Sequence, residues 1–100
     1  MLPSMNEFFD DLGKRWVAAA KPRGAQIEAP TLDAQIALEL LELARVAAHT
    51  RERRFAPLSC YLAGVAAERL RAVRPELDDG EVAAYIREVW KAIDSPASER

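Results

Sequence analysis

The sequence predicts an all-α fold, an antiparallel four-helix bundle built from 100 residues. Three observations predict it. Alanine, leucine, glutamate and arginine are abundant, glycine is scarce, and the prolines fall at apparent junctions, a composition that favours helix. Apolar residues recur at three- and four-residue spacing in four separate stretches. Between those stretches no alternating strand pattern occurs. Amphipathic helices joined by short links bury their stripes against one another, so a bundle is the natural solution. A chain of this length is expected to form one domain, 1–100, with one modest core.

The first helix is expected over 4–20. Ser4 and Glu7 make an S-x-x-E capping box. Met5, Phe8, Phe9, Leu12 and Trp16 then form one apolar stripe. The breakers in "KPRG" end it and open a linker, 21–30, in which Ile27 is expected to tuck into the core. The second helix is expected over 31–49, with Thr31 as cap and Asp33 in a first turn that suits the helix dipole. Leu32, Ile36, Leu40, Leu41, Leu43, Ala44 and Ala47 cover an arc of roughly 200°, wider than a surface helix needs. Gln35, Glu39, Glu42 and His49 share the remaining wet edge, with Arg45 placed to pair with Glu42 or Glu39. This helix is therefore expected to be central.

The third helix is expected over 57–74, opening on Pro57, whose missing N–H costs nothing in a first turn. Leu58, Tyr61, Leu62, Val65, Ala66, Leu70 and Val73 face one way. Cys60, Gly64 and Ala67 form a separate strip of small residues, a candidate contact for a helix of this chain or of a second copy. Arg69, Arg71 and Arg74 close the helix and complement its dipole. The fourth helix, 79–93, has a D-x-x-E box in Asp78 and Glu81, with Val82, Tyr85, Ile86, Val89, Trp90 and Ile93 on one face. Trp16 and Trp90 are read as core residues linking the first and last helices. Residues 95–100 read as a frayed tail. No internal repeat or low-complexity tract is present.

Composition excludes several classes of function. The formal charge is -2 and the pI near 5.4, so no nucleic-acid partner is expected. No apolar run approaches the ~20 residues of a membrane span. The opening "MLPSMNEFFDD" is acidic and unlike a secretory leader, so the cytoplasm is the expected compartment. One histidine and one cysteine cannot make a Cys/His zinc site within one chain. The E-x-x-H pairs of a di-iron bundle and both common phosphate-binding loops are missing. No cofactor and no metal are expected.

The junction "HTRERRFAPLSC", 49–60, gathers the remaining chemistry. A Cys60–His49 dyad is one reading, because a thiol near a helix start is acidified. Packing is the stronger one, since free cysteine beside glycine and alanine at helical spacing is usually buried. The arginines read first as a solvated turn. The functional reading is an anion or partner site made of His49, Arg51, Arg53, Arg54 and the backbone near Ser59. It rests on free N–H groups at the start of the third helix and on arginine's planar donors.

The stretch 38–64 also resembles a family of small, uncharacterised bacterial domains, common in actinobacteria. Its members read approximately L-x-L-A-R-x-x-A-H, a short charged turn with an arginine, then A-P-L-x-x-[FY]-L-x-G. Here Leu41, Leu43, Ala44, Arg45, Ala48 and His49 match the first part, Arg54 the turn, and Ala56, Pro57, Leu58, Tyr61, Leu62 and Gly64 the second. The chain departs in having Ser59 and Cys60 where small hydroxyl residues are usual, and in its longer link at 21–30. Members of that family stand alone, or lie joined or next to a molybdenum-cofactor guanylyltransferase. The resemblance thus implies an accessory role in molybdopterin cofactor maturation, with no established activity. The expected function is a non-catalytic accessory or interaction module. Its partner would be a nucleotidyltransferase of cofactor synthesis or a second copy. The alternative is a small anionic-ligand binder, for phosphate or pterin groups, at the 49–60 turn.

Overall fold

The structure, a computed structural model, describes residues 5–94. It contains four α-helices: α1 (Met5–Ala20), α2 (Ala34–Thr50), α3 (Phe55–Val73) and α4 (Asp79–Asp94). A single 3-10 turn, Lys21–Arg23, follows α1, and no strand occurs among the described residues. The all-helical class is as the sequence implied. Ser4 and the tail 95–100 lie outside the described residues. The helices fall into two compact units, residues 5–32 and 33–94.

In the first unit, α1 stops where Pro22 and Gly24 follow. Gly24 adopts a left-handed conformation at φ 79°, which glycine reaches without a Cβ clash. Its N–H donates to the Lys21 carbonyl at 2.9 Å, and the Ala25 N–H to that of Ala20 at 3.2 Å, so the freed carbonyls are satisfied. The linker then runs close over α1. A Cβ built on Gly13 would lie 2.8 Å from the Pro30 carbonyl oxygen, which is why that helical position is glycine. Phe8 and Phe9 meet edge to face at 5.0 Å. Trp16 is a correction to its expected core role: it is 56% exposed, and with Ala19, Ala20, Arg23, Ile27 and Pro30 it lines a shallow open cleft. Ile27, expected in the core, is exposed as well.

The second unit is organised by α2, which touches both α3 and α4, as its wide apolar arc implied. Its cap is Asp33 rather than Thr31. The Asp33 carboxylate accepts from the N–H groups of Gln35 and Ile36 at 2.9 and 3.1 Å. Leu43, Val46 and Ala47 of α2, Ala67 of α3, and Val82, Ala83 and Ile86 of α4 are buried. Ile36, Leu40 and Trp90 pack on the cluster of Ala67, Val82 and Ile86. At α4 the expected Asp78 cap is present, its carboxylate accepting the Glu81 N–H at 2.8 Å.

Two ion-paired side-chain ties join these helices among the described residues. The Glu39 carboxylate accepts from Trp90 Nε1–H at 2.8 Å and from Arg87 Nε–H and Nη2–H at 3.1 and 3.0 Å, fixing α2 to α4. Glu39, expected on a wet edge, therefore lies at a helix contact with its side chain 13% exposed. Between α3 and α4 the Arg71 guanidinium pairs with the Asp79 carboxylate.

The inward face of α3 is also corrected. Leu58, Tyr61, Leu62 and Val73, expected on the stripe facing the core, are 61%, 73%, 66% and 77% exposed. The small side of the helix faces α2 instead. Ala67 is buried, and the Cys60 thiol donates to the Leu40 carbonyl at 3.6 Å. Small side chains let two backbones approach closely, and these four bulky residues are left pointing away.

Candidate functional site

The 49–60 turn is built by one helix stopping and another starting. The Arg51 N–H donates to the Ala47 carbonyl at 3.2 Å, and Thr50 Oγ1 to that of Val46 at 2.7 Å, so α2 ends satisfied. His49, Arg51, Arg53 and Arg54 are all exposed. Arg54 pairs with Glu52 at 2.7 Å, and Arg45 with Glu42 at 3.2 Å, the latter as the spacing implied.

The backbone of the turn differs from the expectation of free N–H groups. α3 begins at Phe55, two residues before Pro57. The Phe55 N–H donates to the Glu52 carbonyl at 3.0 Å, and the Ala56 N–H to that of Arg53 at 3.1 Å. Pro57 has none to give. The donors an anion would meet at a helix start are therefore already used, and arginine side chains are what the turn offers. Ser59 lies apart from them, half-buried in a groove lined by none of the arginines.

Cys60 does not meet His49. Its thiol is beside Leu40, nine residues back along α2, or about 13 Å of helix axis at 1.5 Å per residue. Burial pushes the thiol pKa up, the opposite of what a nucleophile needs. Of the small-residue strip, Ala67 packs inside this chain and Cys60 contacts α2, while Gly64 is open: a Cβ built there meets nothing within 4 Å. Among the described residues no group of three or more His, Cys, Asp or Glu side chains could hold a metal ion. No described helix is long and apolar enough to cross a membrane.

A second feature is on the other side of α3. A groove of about 260 Å³ runs between α3 and α4, with Leu43 of α2 at its floor. Leu62, Ala63 and Ala66 form one wall and Tyr85, Val89 and Ile93 the other. Its only hydroxyls belong to Ser59 and Tyr85. From Phe55 to Ala67 the helix carries no charged residue, yet Leu58, Tyr61 and Leu62 remain exposed on two sides. Charged chemistry does not point to this groove; the uncharged run from Phe55 to Ala67 is its signal in the sequence.

Residues 10–100 match a family model described as a domain of unknown function, DUF6457, and the chain belongs to that family. No curated protein and no solved structure matches the chain.

Proposed function

We propose, taking that family membership as the premise, that the chain is a non-catalytic accessory module that acts in the cytoplasm by binding another protein. One observation carries this reading. An uncharged length of helix is normally enclosed, but residues 55–67 of α3 leave Leu62 open to solvent, across the groove from the exposed Val89 and Ile93 of α4. Grooves of this shape take the apolar face of an amphipathic helix, reading anchors one turn apart. The raised thiol pKa of Cys60 and its distance from His49 favour a binding role over a catalytic one. The partner proposed is a molybdenum-cofactor guanylyltransferase, supported by the sequence resemblance of 38–64 alone.

Calorimetric titration of the chain into the purified guanylyltransferase of the same cell tests both parts. Saturable binding, weakened at least tenfold by Leu62→Asp in a variant of unchanged helicity, is the expected result. A loss of that size is about 1.4 kcal/mol. Binding indifferent to Leu62→Asp would move the site off the groove, and absence of binding would remove this partner.

A second reading has one observation in its favour. Among the described residues, Arg51 and Arg53 form no ion pair, leaving two free guanidinium groups beside Arg54 and His49. Such groups suit phosphate or a phosphorylated pterin. Titration with pyrophosphate should then shift the amide resonances of 49–56; a flat response at millimolar ligand ends the idea.

A further inference from the structure

The outer face of α3, about 100° around the helix from Leu62, is a different surface from the groove. Pro57, Tyr61, Gly64, Val65, Glu68 and Ala72 share it at three- and four-residue spacing. Tyr61, Gly64, Val65, Glu68 and Ala72 line an open trough along it, with Cys60 and Arg69 at its edges. Tyr61 is 73% exposed, and Gly64 has free space where a Cβ would be. Glycine inside a helix is unfavourable relative to alanine, and nothing within this chain requires it at 64.

We propose that this face is a homodimer contact, in which α3 packs antiparallel against α3 of a second copy about a twofold axis between Gly64 and Val65. The pattern of side chains is self-complementary about that point. Antiparallel pairing places Val65 of each copy over the Gly64 of the other, a knob against an empty position. It also places Tyr61 opposite Glu68 at both ends, so that each phenol O–H donates to a carboxylate of the other copy. Pro57 meets Ala72 beyond them. The pairing is isologous and closes on itself, as twofold contacts do. Arg69 stands at the trough's edge, where the pairing sets it opposite Cys60 of the other copy, and Arg71 is held by Asp79 within its own chain. One helix pair buries less than the roughly 800 Å² per partner of a standard interface, so the dimer is weak and forms at micromolar concentrations or above. This inference does not rest on the groove and survives its failure.

Sedimentation equilibrium over a concentration series reads the result directly, against a monomer of 11.1 kDa. The wild type should move toward twice that mass as concentration rises. Tyr61→Glu sets two carboxylates against each other at each end and should raise the dissociation constant at least tenfold. Tyr61 and Glu68 are two turns apart within one helix, about 10 Å, and do not touch there. Restoration of the dimer by Tyr61→Glu combined with Glu68→Lys can therefore come only from a contact between copies. Both positions are exposed, so unchanged circular dichroism controls for folding. A monomer at every concentration, a dimer untouched by Tyr61→Glu, or a double variant no better than the single one would each overturn the proposal.

Discussion

Two glycines in helices show how the same residue type serves opposite needs. Gly13 is required by its own unit, because the Pro30 carbonyl occupies the place of a Cβ at 2.8 Å. Gly13→Ala must push the linker off α1, and overpacking of this kind costs about 1–3 kcal/mol. Gly64 has open space instead. Gly64→Ala should stabilise the monomer by about 0.5–1 kcal/mol, the helix-propensity difference. Urea melts of both variants at nanomolar concentration, beneath any self-association, should show the two midpoints moving in opposite directions. If both fall, Gly64 has a packing role within the chain that its surroundings do not show. Nothing in the sequence says which of these glycines is crowded, although Gly13 falls beside the apolar stripe of α1 and Gly64 in a strip of small residues. The distinction depends on where the linker runs, which is a tertiary fact.

At the scale of the element, the sequence signals for existence and order were strong and those for facing were weak. All four helices were legible from apolar spacing, and the ends fell within three residues of the observed ones. The start of α2 was misread because Thr31 and Asp33 both suit a cap, and only backbone geometry decides between them. Asp33 has extended backbone at φ -73° and ψ 142° and accepts two N–H groups, while Thr31 lies outside the helix. Asp33→Ala should therefore cost about 1 kcal/mol, and Thr31→Ala close to nothing, as compared by thermal melts. Equal losses at both positions would return the cap to Thr31. The facing of α3 was misread for a related reason. Bulk predicts an inward stripe, but the helix lies against α2 through Cys60 and Ala67. Close approach through small residues keeps van der Waals contact without large side chains. The site suffered from the same limit. The arginines of the turn were visible in sequence, whereas the spent N–H groups behind them and the groove beyond Ser59 depend on how the helices pack.

For the molecule as a whole, the core of residues 33–94 is modest, since much of α3's apolar surface stays outside it. The polar tie of α2 to α4 through Glu39 then matters more than a surface ion pair ordinarily would. Hydrogen bonds from Trp90 and Arg87 hold the Glu39 carboxyl below its ordinary pKa, against a smaller opposing effect of burial. A depressed folded-state pKa means the unfolded chain takes up the proton first as pH falls. The contribution is therefore complete above the unfolded value, about 4.3 for glutamate, and is lost as pH drops through the lower folded value. Other carboxylates titrate in the same window, so the useful quantity is the difference between wild type and Glu39→Gln. Glutamine keeps an acceptor for Trp90 Nε1–H but has no charge for Arg87. At pH 7 the variant should be less stable by about 1 kcal/mol, the range of a partly exposed charged hydrogen bond. The gap should close as pH falls below that of ordinary glutamate titration, because the wild-type carboxylate is then neutral too. Urea midpoints for both proteins from pH 7 down to about 3 would trace it. A gap that persists unchanged in acid would mean that Glu39 acts through shape alone, and that the charge on Arg87 plays no part in joining these helices.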